Sequence, residues 1–260
     1  MCGPLALLAL LIAAPALAQT DDPAAAEEMV RLVNQERQSR GLATLVVDQK
    51  LVQAARRHSQ LMASTGELEH VIGNEARLPQ RITGLRFDAS GENVALSSSP
   101  ARAHDGLMHS PGHRSNILDP QYNAVGIAVI RADQGLYITE DFAHKLREFS
   151  VDEAESEIAV SLNRLRQSAG MPQLNRHPAP ELRARACEMA ANDRVDPHAG
   201  LISSEVRDAI AFTALDFAHV PDSLHRLKNA PVNKFSIGAC YRSSGSYPNP
   251  VFWVLVVTYQ

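Results

Sequence analysis

Six residues near the start of the chain recur further on at one fixed offset. Asn34, Arg37, Gln38, Ser39, Gly41 and Leu45 are matched by Asn163, Arg166, Gln167, Ser168, Gly170 and Leu174. Unchanged spacing over six positions calls for the same local geometry twice: a helix, a glycine stop and an extended exit. Further pairs follow in the same order. Met62-Ala63 and His70 have counterparts in Met189-Ala190 and His198, one residue longer, and His225-Arg226 precedes Ile237-Gly238 as His113-Arg114 precedes Val125-Gly126. The run from Phe252 to Tyr259 takes the place of the last strand of the first part. The middle is missing, since no Gly-Glu-Asn lies between His198 and His225, where Glu205 and Asp216 are among the nearby acids. Residues 151–260 therefore read as a worn copy of the first part; the alternative is an unrelated C-terminal extension that shares one helix pattern.

A chain of 260 residues, 45% hydrophobic and 21% charged, is long enough for one large globular domain or two small ones. Its formal net charge of -4 leaves no basic footprint for nucleic acid and no polybasic attraction to anionic lipid. With aromatic residues at 5%, a broad base-stacking surface is also unsupported.

Leu5 to Leu17 is an apolar run too short for a comfortable span, and Ala16-Leu17-Ala18 ahead of Gln19 has the small-x-small form of a cleavage site. Residues 1–18 are therefore expected to be a secretory signal peptide. Met1-Cys2-Gly3-Pro4 lacks the usual Lys or Arg, which keeps an uncleaved anchor as the alternative, and Cys2 lies on the wrong side of the apolar run for a lipoprotein. The mature chain is expected to be exported, periplasmic or extracellular, with no transmembrane span. Cleavage leaves Cys187 and Cys240, which form one disulfide or remain two small buried hydrophobes. In the register of the repeat, Cys240 falls on a strand near the place of Ala128 and Cys187 on a helix over the sheet, so a bridge is sterically conceivable.

The coarse pattern begins with helices. Val30, Leu32-Val33 and Arg37 recur at helical spacing before Gly41, and Asp48 can cap a second helix whose stripe is Leu51, Ala54-Ala55 and Leu61-Met62, ending at Gly66. His70 then sits just beyond a helix end. Residues 73–90 carry no clean period and read as an irregular connection. Pro100 opens a short helix to Met108, while Ala124 to Ile130 and Leu136 to Phe142 read as a strand pair turning at Asp133-Gln134-Gly135.

The chemistry-bearing material lies in three separated segments: His70, Gly91-Glu92-Asn93, and Ser110-Pro111-Gly112-His113-Arg114-Ser115-Asn116-Ile117. Two imidazoles and a carboxylate are ordinary ligands for zinc or another divalent cation, and the same groups exchange protons near neutral pH. Spacing alone does not bring them together. Among 10 histidines a chance trio is easily assembled, so each is equally readable as a surface or capped residue.

Asn34-Gln35-Glu36-Arg37, Gly41 to Leu45, the helix from Leu51 to Ser59, His70, Gly91-Glu92-Asn93, Ser110-Pro111-Gly112-His113-Arg114 and Val125-Gly126-Ile127 come in the order seen in bacterial CAP-domain (SCP-like) proteins. The resemblance spans roughly residues 27–143. It implies an α+β fold, an α-β-α sandwich with a small antiparallel sheet between helical layers over residues 19–150. Residues 151–260 would then be a second, degenerate CAP-like unit.

The resemblance also implies a cavity where His70, Glu92 and His113 bind a ligand or a metal, with Glu92 either ligating a shared cation or fixing one imidazole. The family's second glutamate, one short helix before the second histidine, is absent: that stretch reads Leu107-Met108-His109-Ser110, with Leu107 in place of the usual Trp. Asp105 and His109 are the available substitutes, although Asp105 is expected to face solvent. Asn93 and Asn116 are expected to bond backbone at element ends, and Arg114 to pair with a local acid or carbonyl.

Ser110, His113 and Glu92 also contain the parts of a nucleophilic triad, but Ser110 precedes a Pro-Gly turn where capping the next helix is the commoner use, and neither Gly-x-Ser-x-Gly nor His-Glu-x-x-His occurs. The function expected from the resemblance is ligand or cation binding in the bacterial envelope or its surroundings, with no catalysis or little. The partner would be a small molecule or an envelope component. The competing expectation is a metal-dependent or serine hydrolase acting on envelope polymer or peptide.

Overall fold

The computed structural model describes residues 19–217, 221–247 and 249–259. The expected signal peptide lies outside the described residues. The chain divides into two compact units, and the division is not a single cut: the first takes residues up to Ala76, Glu92–Pro120 and Val125–Phe142, the second Arg77–Gly91, Gln121–Ala124 and Ala143 onward.

The elements up to residue 145 are β1 (Thr20–Asp21), α1 (Pro23–Ser39), β2 (Val46–Val47), α2 (Gln49–Thr65), α3 (Leu78–Arg81), β3 (Phe87–Ser97), α4 (Pro100–His109), α5 (Pro111–Leu118), β4 (Ala124–Ala132) and β5 (Gly135–Lys145). Asp22 caps α1 by accepting from the Ala25 N–H, and Pro23 occupies the first turn, where its missing N–H costs nothing. Ala25, Met29, Val33 and Arg37 are the buried residues of α1, a four-residue spacing that keeps them on one face. Asp48 caps α2 through the Lys50 N–H, and α2 ends at Gly66 in the left-handed region, φ 74°, as the sequence predicts.

The first sheet runs in the order β1-β4-β5-β3, with β2 also paired to β4. Both β4 and β5 are buried nearly end to end, so their sequences are apolar runs and show little alternation. Gly126 on β4 is required by close packing: a Cβ there would lie 2.1 Å from the Leu51 carbonyl carbon and 2.2 Å from the Val52 nitrogen of α2. One sequence expectation needs correction. Residues 73–90, expected to be irregular, hold the one-turn helix α3 and the start of β3, an eleven-residue strand that carries Glu92. Only Asn93 and Val94 of that strand are buried, so no period-two apolar pattern marks it.

From residue 150 onward Ser150 and Glu153 form a capping box for α6 (Val151–Gln167), followed by β6 (Asn175–Arg176), α7 (Glu181–Ala191), a 3-10 turn (Pro197–Gly200), β7 (Val206–Ala214), a second 3-10 turn (Asp222–Leu227), β8 (Lys234–Arg242) and β9 (Val251–Tyr259). The sheet order is β6-β8-β9-β7, with β9 antiparallel to both β7 and β8. Gly238 on β8 carries the same kind of constraint as Gly126, since a Cβ would lie 2.3 Å from the Leu182 carbonyl carbon of α7. Cys187 on α7 and Cys240 on β8 form a disulfide with Cα atoms 5.2 Å apart, which settles the alternative left open for the two thiols.

Among the described residues, each unit contains one fully buried arginine held by backbone carbonyls. Arg37 donates from Nε to the Ala43 carbonyl and from Nη1 to those of Ile117 and Asp119. Arg166 donates from Nε to the Pro172 carbonyl and from Nη1 to those of Leu227 and Ala230. Asn34 makes a reciprocal pair of bonds with the Leu45 backbone, and Asn163 does so with Leu174. A buried cation surrounded by carbonyls closes the turn after each helix.

Candidate functional site

The loop that follows the Gly66 cap places His70 beside β3. His70 Nδ1 lies 2.8 Å from Glu92 Oε1. The carboxylate side chain is 6% exposed and the imidazole 54%, so a nearly buried acid holds an accessible ring by one nitrogen. His113, in the first turn of α5, is half-buried, and its ring centroid lies 6.3 Å from that of His70 with the planes at 48°. The structure thus brings the three sequence-predicted residues together. Burial, and secondarily the neighbouring His70, hold the His113 imidazole below its ordinary pKa.

Two asparagines tie these segments to one another. Asn93 Nδ2 donates to the His113 carbonyl at 3.1 Å and to Glu140 Oε2 at 3.0 Å, while Asn116 Nδ2 donates to the Glu92 carbonyl at 3.0 Å and to Asn93 Oδ1 at 2.9 Å. Both bond backbone as expected, but they stitch the site strand to the site helix instead of finishing isolated element ends. Glu140, on β5, is fully buried, and its Oε1 has no hydrogen-bond partner. Burial pushes its carboxyl up to about 7, against the opposing effect of the Asn93 bond.

Sequence reasoning missed Glu140. Its signal is the acidic pair Glu140-Asp141 inside a run from Leu136 to Ala143 that otherwise reads as a buried strand. A charged residue at a buried strand position is the informative exception to burial rules.

The proposed substitutes for the absent second glutamate are elsewhere. The Asp105 and His109 side chains are 75% and 78% exposed and pair with each other at 3.4 Å. His104 is buried with its Nδ1 unpartnered, and burial lowers its pKa. Ser110 stands at the start of α5, but its hydroxyl makes no capping bond, contrary to expectation. The turn is closed instead by the Arg114 N–H donating to the Ser110 carbonyl at 2.8 Å.

The donor set suits a zinc-type cation in kind: His70 has its second nitrogen on an exposed ring, and a carboxylate orients its first. The spacing is wide. Two imidazoles sharing one ion at about 2.1 Å keep their centroids roughly 5 Å apart at a tetrahedral angle. Among the described residues no group of three or more His, Cys, Asp or Glu stands close enough to hold a metal ion as placed. Cation binding therefore requires the His70 and His113 rings to approach one another.

Residues 30–142 match the model of the cysteine-rich secretory protein family, CAP. The chain is similar to YkwD of Bacillus subtilis (strain 168), 31% identical over 123 residues, which is 46% of this chain and 47% of that protein. It is also similar to YlbC, a membrane protein of the same organism, 32% identical over 120 residues, or 45% of this chain and 33% of that protein. The chain thus spans less than half the length of either relative. Among solved structures, an extracellular protein containing an SCP domain from Bacillus anthracis str. Ames is 28% identical, with 48% of this chain and 41% of that chain covered and a TM-score of 0.44. Residues 30–142 of the chain thus resemble the CAP family, in line with the order of their motifs.

Proposed function

We propose that the CAP domain is a binding module in which His70, Glu92 and His113 take up a small ligand or a divalent cation such as zinc. The observation that carries this reading is the 2.8 Å contact between Glu92 and His70 Nδ1, facing a second imidazole. A carboxylate on one ring nitrogen fixes the tautomer and raises the basicity of the other. His113, kept below its ordinary pKa, supplies a neutral imidazole at neutral pH, the form that ligates.

The protein works outside the cytoplasm, in the envelope or its surroundings. The Leu5–Leu17 run and its cleavage-like end support export, as does the Cys187–Cys240 bridge, because disulfides persist in oxidising compartments. Among the described residues no helix is long and apolar enough to cross a membrane. The matching hydrogen bonds of Arg37 and Arg166 support a division into a first CAP unit, residues 19–150, and a degenerate second one, residues 151–260. Binding belongs to the first, which alone has Glu92 between its histidines.

Calorimetric titration of zinc at about pH 7.5 and 5.5 tests the site, since an imidazole cannot ligate once protonated. Weak binding at the higher pH, lost at the lower and lost in His70→Ala and His113→Ala, is expected. Binding equal at both pH values, or indifferent to both substitutions, would place any zinc elsewhere.

A further inference from the structure

The ring of His70 is placed by a loop with little regular structure. It runs between two glycines in the left-handed region, Gly66 at φ 74° and Gly73 at φ 57°, and Leu68 and Val71 on it are exposed. Ile72 anchors one end in an apolar cluster with Met62, Val94, Ile130 and Tyr137. A second anchor lies beneath the loop. His58, on α2, is fully buried, with Nε2 2.9 Å from the Glu69 carbonyl oxygen and Nδ1 2.8 Å from Glu75 Oε2. A carbonyl only accepts, so Nε2 carries the hydrogen of that bond. The carbonyl of Glu69 and the nitrogen of His70 share one planar peptide group, so holding the oxygen fixes the plane from which His70 departs.

We propose that His58 is a positioning residue for the site: its imidazole holds the Glu69–His70 peptide plane and thereby sets the His70 ring against Glu92. The proposal rests on the reading of His70 as the accessible imidazole of the site. A buried histidine serving stability alone would satisfy its own two nitrogens in the same way. The two roles differ in what they do to the coupling between His70 and Glu92.

The test is a mutant cycle read by ring-resolved NMR of His70 in the full chain. In the wild type, Glu92→Gln moves the ring nitrogen resonances of His70 at fixed pH, because it replaces the carboxylate bonded to Nδ1. In a His58→Leu background that shift is expected to fall to less than about half, the coupling being spread over a mobile ring. His58→Gln, whose amide N–H can replace Nε2–H toward the Glu69 carbonyl, is expected to restore most of it. His58→Asn, whose shorter amide replaces Nδ1–H toward Glu75, is not.

An undiminished shift in folded His58→Leu overturns the proposal. Should His58→Leu fail to fold, the Gln and Asn variants decide: restoration by Gln alone supports the assignment, and equal responses in both overturn it. Zinc affinity is not the readout, so failure of cation binding and failure of this positioning role are told apart.

Discussion

Glu140 carries an electrostatic cost beside the site, because a fully buried carboxyl with one unpartnered oxygen resists ionisation. Its folded pKa of about 7 stands above the ordinary 4.5. The folded state therefore binds the proton more tightly, and stability from this group is full below about pH 4.5 and lost as pH rises through about 7. Glu140→Gln keeps an acceptor for Asn93 and cannot ionise. Relative to wild type it should gain on the order of 2 to 3 kcal/mol between about pH 5 and pH 8. Chemical denaturation at both pH values checks this, and a constant difference would mean that Glu140 titrates alike folded and unfolded. His113 has the opposite sign: its titration midpoint should lie below the ordinary imidazole value and rise in His70→Gln, which removes a neighbouring charge, as seen by ring NMR. His70, Glu92 and His113 were legible because they sit in short motifs whose order is readable. Glu140 and His58 were not, since burial and the direction of a side chain depend on strands and loops distant in sequence.

At the level of elements, the legible parts were those with local signals. Asp48 and Gly66 mark the two ends of α2, and the Asp133-Gln134-Gly135 turn marks the hairpin of β4 and β5. Strand β3 was illegible because Phe87–Ser97 mixes small, polar and apolar residues and gains its place only by pairing with β5. Packing of helix on sheet depends on two glycines, and Gly126→Ala should destabilise by about 3 kcal/mol or more, since its Cβ would meet backbone that cannot rotate away. Gly41→Ala makes a useful control with a different cause: its site is open, so only the cost of φ 72° applies, roughly 1 kcal/mol. Thermal or chemical denaturation separates the two. Reduction of the Cys187–Cys240 bridge, 53 residues apart, should cost about 4 kcal/mol in the chain-entropy model. An unchanged melting temperature under reductant would rule that contribution out.

For the whole molecule, sequence order alone paired Asn34 and Arg37 with Asn163 and Arg166, but it did not show that both arginines are buried and bond backbone carbonyls. It could not foretell that residues 77–91 group with the second compact unit, since that depends on contacts distant in sequence. The assignment of binding to one unit rests on the convergence of His70, Glu92 and His113, and the most direct measurement is ring NMR of all the histidines during a zinc titration at about pH 7.5. The account predicts that the signals of His70 and His113 move together with one shared affinity, and that Glu92→Gln weakens both. Movement confined to His104 and His109, or of His70 without His113, would contradict it.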